Sequence, residues 1–206
     1  YMAEKGSSCW LSAGDVPCSV YMTLLQNGKM DDPYWRDNEN KALPLMEKDY
    51  WFRKNFDVPE ELFGCTRLLL RCEGLDTVAT LTLNGQPVAQ TDNMHRTYEF
   101  DVKNLLKPTG SELTILFDSP TLTIRERDLP PHAGGSDECM KGFPNLRKAH
   151  CMFGWDWGPR LPDAGIWRPI SLVGVEEGRL YSVYVTQRHE NGAVTLELSP
   201  EIENIT

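Results

Sequence analysis

The sequence predicts an all-β fold, a β-sandwich, and three observations carry that prediction. Short apolar–polar alternations recur along most of the chain, turn residues punctuate them, and no long helical pattern alternates with them. The earliest regular signal is nevertheless a helix. Ser19 to Asn27 begins on a capping residue, carries Val20, Leu24 and Leu25 on its apolar side, and is followed by Gly28, which predicts one short capped helix. Tyr50 to Val58 then alternates as a strand, and Arg67–Arg71 and Val78–Leu83 follow, rich in Leu, Val and Thr. Asn84-Gly85 marks a two-residue hairpin turn, because both central positions of that turn need positive φ, and Val88–Gln90 returns from it. Thr97–Val102, Glu112–Phe117 and Pro169–Val175 complete the set. Asn104-Leu105-Leu106, stopped by Pro108, allows only a turn of helix. Thr121 to Asp128 fits helix and strand alike, and Pro130-Pro131 through Gly134-Gly135 reads as loop.

After Gly178 the alternation restarts. Leu180–Thr186 and Ala193–Leu198 flank a polar turn at Glu190-Asn191-Gly192. Two strands and a turn cannot bury a core alone. Residues 1–178 are therefore expected to form one domain, and 179–206 the opening hairpin of a second, cut off at Thr206.

Composition narrows the class of function. A chain of 206 residues has room for one substantial core and part of another. With 40% hydrophobic and 25% charged residues it reads as an ordinary soluble globular protein. A net charge of −9 argues against nucleic acid, since little here would neutralise phosphates. No stretch approaches the roughly 18 apolar residues of a membrane span, so no membrane partner is expected. Tyr1 to Lys5 lacks the apolar region of an export signal. The six cysteines fall at irregular spacing without a CxxC pair, and no His or Cys cluster has metal-ligand spacing. No metal and no cofactor are expected. A Cys139–Cys151 bridge would close a loop of about a dozen residues and is sterically conceivable, but reduced thiols are the expectation.

The most informative segment runs from Phe153 to Arg160, Phe-Gly-Trp-Asp-Trp-Gly-Pro-Arg. It sets one carboxylate, Asp156, between two indoles, Trp155 and Trp157. Sugars suit such a wall: their C–H faces stack on aromatic rings, while their hydroxyls need a few fixed polar acceptors. A carboxylate accepts such hydroxyls in charge-assisted hydrogen bonds. The bland alternative places both indoles in the core and leaves Asp156 solvated on the outer face of a sheet. Density in Trp, Pro, Gly and charge argues against a regular strand or helix and for a long ordered loop, the usual place for function.

This segment, with Arg147-Lys148 before it and Gly165-Ile166-Trp167 after it, resembles the signature of β-mannosidases in glycoside hydrolase family 2. Gly14-Asp15-Val16-Pro17, Arg36-Asp37-Asn38-Glu39, Glu73-Gly74-Leu75-Asp76-Thr77 and Asp92-Asn93-Met94-His95-Arg96 fit the same family in the same order. The resemblance implies a jelly-roll sandwich of the galactose-binding-like type, followed by the first strands of an immunoglobulin-like sandwich. It implies a retaining exo-β-mannosidase as the full-length protein, acting on terminal β-mannose of an oligosaccharide, with the remaining domains of the same chain as partners. Both catalytic Glu residues of the family lie on a barrel, so no catalytic residue is expected here. Asp156, Trp155, Trp157 and Asn93 are expected to bind substrate. A freestanding carbohydrate-binding module, or another family 2 glycosidase acting on galactoside, glucuronide or glucosaminide, is the alternative.

Neighbouring residues carry weaker expectations. Asn93 fits a sugar contact and an Asx-type turn equally. Arg160 is expected to pair with Asp156 or Asp163, Arg147 and Lys148 to anchor the loop through carbonyls and carboxylates, and His95 to be exposed. His150 is expected to be structural.

Overall fold

The computed structural model describes residues 1–127, 136 and 138–205. Its strands are β1 (Met2–Glu4), β2 (Cys18–Ser19), β3 (Tyr50–Phe56), β4 (Arg67–Cys72), β5 (Leu75–Asp76), β6 (Ala79–Leu83), β7 (Gln86–Thr91), β8 (Tyr98–Asp101), β9 (Ser111–Phe117), β10 (Phe153–Trp155), β11 (Gly158–Arg160), β12 (Gly165–Ile166), β13 (Ile170–Val175), β14 (Gly178–Glu190) and β15 (Ala193–Asn204). Among the described residues four short α-helices accompany them, α1 (Val20–Gln26), α2 (Glu39–Ala42), α3 (Glu60–Gly64) and α4 (Pro120–Glu126), besides turns of 3-10 helix.

A period of two puts alternate side chains on opposite faces of a strand, and the burial follows it. In β6, Ala79, Leu81 and Leu83 are buried between half-buried threonines; in β9, Ser111, Leu113, Ile115 and Phe117 are buried and the residues between them are not. These strands belong to a five-stranded sheet in the order β1-β3-β9-β6-β7, all antiparallel. A three-stranded sheet, β13-β4-β8, packs over it, and a smaller sheet, β2-β12-β5, adds Cys18, Leu75 and Ile166 to the same core. Phe52 from β3 meets Phe117 from β9 edge-to-face at 5.5 Å in the core between the sheets, where Leu70, Cys72 and Leu75 are also buried. The predicted β-sandwich is thus the observed architecture.

Local signals behave as their chemistry requires. Asn84 and Gly85 take φ of 53° and 79°, the turn that lets β6 reverse into β7. Ser19 caps α1 by accepting from the Met22 amide at 3.2 Å, and Gly28 ends it at φ 63°. The ambiguous stretch after Ser119 is α4: Ser119 accepts from the Leu122 amide and Pro120 fills the first helical position, where a missing N–H costs nothing. Asp128 and the 130–135 segment lie outside the described residues. Sequence alternation missed β1, the two-residue strands β2, β5 and β12, and the short helices α2 and α3, which are too short to show a period.

The tail is a long antiparallel hairpin, β14 and β15, turning at Asn191 and Gly192 with φ of 51° and 78°. One of its faces is mostly apolar, with Gln187 and His189 toward its turn end. Val183, Val185, Val194, Leu196, Leu198 and Ile202 all point that way and are 42–70% exposed. A bulge at Tyr181, between the pairs Leu180↔Ile202 and Ser182↔Glu201, keeps Leu180 on the same face despite the odd spacing.

All six cysteines are free thiols, including Cys139 and Cys151. Only Cys9 and Cys151 are exposed, and burial pushes the Cys72 thiol up to about 12. Since the thiolate is the nucleophile, a disulfide reagent at neutral pH is expected to titrate two thiols in the folded chain and the other four only after unfolding. Fast reaction of all six would contradict the packing of this core.

Candidate functional site

Residues 149–162 form an excursion from the sandwich whose two ends are tied together. Lys148 Nζ donates to the Asp163 carbonyl at 2.6 Å, which closes the neck. Above it the Leu161 amide donates to the Met152 carbonyl at 2.8 Å, Phe153 pairs with Arg160, and Trp155 pairs with Gly158. Asp156 and Trp157 are the two residues of the turn at the tip. The expected irregular loop is therefore a correction: at its heart is a hairpin, β10 and β11. Its ladder is only three residues a side, so Gly154, Gly158 and Pro159 do not prevent it; Pro159 sits on an isolated two-stranded ribbon, where a missing donor is tolerated.

Gly154 is the position that allows the ribbon to close. It takes φ 90°, and a Cβ there would stand 2.5 Å from Cγ of Arg160 on the facing strand. Its carbonyl accepts from the Cys139 thiol at 2.9 Å, and the Phe153 carbonyl accepts from the Met140 amide at 3.0 Å. Beneath the ribbon lies a second small core of Ile124, Cys139, Phe143, Leu146 and Phe153, with Trp155 packed against it.

The tip is accordingly asymmetric. Trp155 is half-buried on that small core, Asp156 is exposed, and Trp157 is 79% exposed. The two indoles lie 5.2 Å apart with planes tilted by 38°. Neither fills the main core; Asp156 is solvated and Trp155 packs on the small core as the bland alternative has it, whereas Trp157 does not. Among the described residues, none hydrogen-bonds or ion-pairs with the Asp156 carboxylate. An exposed carboxylate beside an exposed indole is a ready acceptor for sugar hydroxyls.

Arg160 does not pair with Asp156 or Asp163. It reaches across to Glu39, with Nε at 3.1 Å and Nη2 at 2.7 Å from Oε1, and Nη2 also lies 3.2 Å from Asn40 Oδ1. The reason is geometric: Arg160 faces Phe153 in the ribbon, on the strand away from the tip, so its guanidinium extends toward α2. This pair brings the Arg36-Asp37-Asn38-Glu39 segment against the excursion. Just before that segment stand two further exposed aromatics, Tyr34 and Trp35, with Arg36 over the Trp35 ring.

Asn93 lies in a loop stitched to the start of the excursion by its bridge to Arg147. Its Oδ1 accepts from the His95 amide at 2.9 Å, the Asx-type turn of its structural alternative. The Met94 amide donates to the Arg147 carbonyl at 3.0 Å, and the Met94 carbonyl accepts from Trp167 Nε1 at 3.0 Å. His95 is exposed. His150 packs edge-on against Phe143 at 5.0 Å, a structural contact.

Sequence reasoning gave Lys148 an anchoring role but not its depth. Its side chain is fully buried and pairs with Asp76, itself buried, whose other oxygen accepts from Thr77. Asp163 closes the same polar knot, accepting from the Tyr21 amide at 3.0 Å and the Ala164 amide at 2.8 Å. Burial raises the Asp163 carboxyl above the ordinary aspartate range, and these N–H donors with Lys148 oppose that rise.

The chain is thus a β-sandwich that carries an aromatic-flanked carboxylate at the tip of an ordered excursion. The chain belongs to the glycosyl hydrolase 2 galactose-binding domain-like family, whose sequence profile matches residues 1–168. It is 35% identical over 188 residues to β-mannosidase B of Thermothelomyces thermophilus, matching 88% of this chain and 21% of that protein. It is 32% identical to the β-mannosidase of Capra hircus over 90% of this chain and 22% of that one. The crystal structure of the β-D-mannosidase from Dictyoglomus thermophilum superposes with a TM-score of 0.91 at 33% identity, covering 98% of this chain and 25% of that one. The chain thus spans about a fifth to a quarter of the length of these relatives.

Proposed function

We propose that this chain is the N-terminal sandwich of a retaining exo-β-mannosidase that removes terminal non-reducing β-D-mannose. Its catalytic Glu pair would lie on a barrel elsewhere in the polypeptide, and the excursion would supply one wall of the substrate site. The observation that carries the reading is Asp156, held at the tip of a braced two-residue turn beside the exposed Trp157 ring. Asp156 would accept hydroxyls of the terminal mannose, while Trp157 and Trp155 would limit the space around it. Asn93 would act from the adjoining loop. Exo action follows if such a wall closes one end of the cleft and leaves room for a single terminal sugar. The apolar face of β14 and β15 fits the inner face of a second sandwich of immunoglobulin-like type, with the boundary near Gly178.

A panel of chromogenic glycosides on the full-length protein tests the reading. The β-mannoside is expected to be turned over with kcat/KM at least about tenfold above the galactoside, glucuronide and glucosaminide, within the range a few pocket contacts can supply. Preference for any of those three would overturn the assignment of the sugar. Sugar binding by this chain alone, at millimolar affinity or better, would favour a freestanding binding module.

A further inference from the structure

The side of the β13-β4-β8 sheet that faces away from the core carries charges in strict alternation of sign. Arg67 and Arg71 project from β4, and Glu99 and Asp101 from β8, with Arg71 and Glu99 as a cross-strand pair. The base of the tail hairpin adds Arg179 and Glu203, which face each other across β14 and β15. Arg179 grips Glu99 with both terminal nitrogens, Nη1 standing 3.1 Å from Oε1, while its Nε donates to Glu203 at 2.7 Å. The other Glu203 oxygen accepts from Arg67 at 2.9 Å, and Arg67 Nε reaches Asp101 at 3.2 Å. Arg71 extends the chain of pairs at the opposite end, 3.6 Å from Glu99 and 3.4 Å from Glu73. The sequence Glu73, Arg71, Glu99, Arg179, Glu203, Arg67, Asp101 therefore has an opposite charge at every step.

Isolated exposed ion pairs contribute little, but bidentate geometry and networks are the exceptions. Arg179 and Glu99, the two most shielded members, have side chains only 18% and 19% exposed. Leu69 lies on this same outer face, between Arg67 and Arg71, and is 1% exposed, so the face is covered and not open to water. Planar guanidinium forks fix direction as well as distance. Here two arginines, Arg67 and Arg179, bind two strands of the sandwich to the two strands of the hairpin.

We infer that this face is the seat on which the unit opened by β14 and β15 is held at one angle to the sandwich, with Arg179 as the positioning residue. The inference rests on the reading that the hairpin opens a second sandwich whose further strands cover its apolar face. The neighbouring Glu176-Glu177-Gly178 stretch is the joint whose freedom the arginine restricts.

The test uses the full-length protein and its Arg179→Ala and Arg179→Lys variants. The readouts are cleavage at Glu176 or Glu177 by a glutamate-specific protease and the spread of inter-unit distances from small-angle scattering. Arg179→Ala is expected to speed cleavage at least fivefold and broaden the distances, and Arg179→Lys to fall between it and the parent. Salt at 1 M, which shortens electrostatic reach to about 3 Å, should move the parent toward the alanine variant and move that variant, which keeps only the Arg67–Glu203 pair, by less. Cleavage and scattering that ignore both the substitution and the salt would overturn the assignment. Labelling of Leu198→Cys separates the two layers of the argument. A buried, slow-reacting thiol there with an indifferent Arg179 overturns the pin alone. A fast-reacting thiol overturns the second-sandwich reading, and this inference with it.

Discussion

Replacing Lys148 with methionine is expected to cost the sandwich about 3–5 kcal/mol, because it leaves the Asp76 carboxylate buried without its counter-charge. The ammonium group is wholly enclosed and holds two partners at once, Asp76 and the Asp163 carbonyl. For a domain of this size such a loss lowers the thermal midpoint by on the order of 10 °C, which calorimetry or circular dichroism measures directly. The companion variant Asp76→Asn in the Lys148→Met background removes the stranded charge and should recover a large part of the loss. A midpoint within a degree or two of the parent in the single variant would mean that the knot is not formed. The same substitution also opens the neck of the excursion, so in the full-length protein it should weaken substrate binding even at temperatures where the fold survives.

Replacing Asp156 with alanine should do the reverse: stability holds and turnover falls. The side chain is exposed at a turn, so the change in folding free energy is expected to stay within about 0.5 kcal/mol. In the full-length protein, losing a charged acceptor of sugar hydroxyls should remove about 1.5–3 kcal/mol of transition-state stabilisation, a drop of about 10- to 150-fold in kcat/KM toward a β-mannoside. If alanine leaves kcat/KM unchanged, the excursion does not touch the sugar and the sandwich serves only as packing. If it destabilises the fold instead, Asp156 is a structural residue.

Much of the sandwich was legible because its strands obey a period of two and its turns use residues with positive φ. β6, β9, the Asn84-Gly85 turn and the tail hairpin were all visible in that way. The site was legible in composition and not in shape. Trp155, Asp156 and Trp157 stand out as residue types, yet a ribbon with three residues on each strand is too short for a period and is disguised by Gly154, Gly158 and Pro159. What holds the ribbon was hidden for a different reason. Lys148 meets Asp76 across 72 residues and Arg160 meets Glu39 across 121, and a lysine or arginine in a sequence gives no sign of which distant carboxylate will face it. Arg160 was assigned to nearby aspartates because proximity in sequence was the only guide.

The tied ends at Lys148 and Asp163 give the tip of the stretch between them a footing of its own. Since entry and exit points are clamped together and Phe153 and Gly154 are seated on the small core, the turn at Asp156 and Trp157 is the part that can vary without disturbing what lies below. Under the proposed function, exchanging those two residues alone is the expected way to alter sugar preference at little cost to the fold.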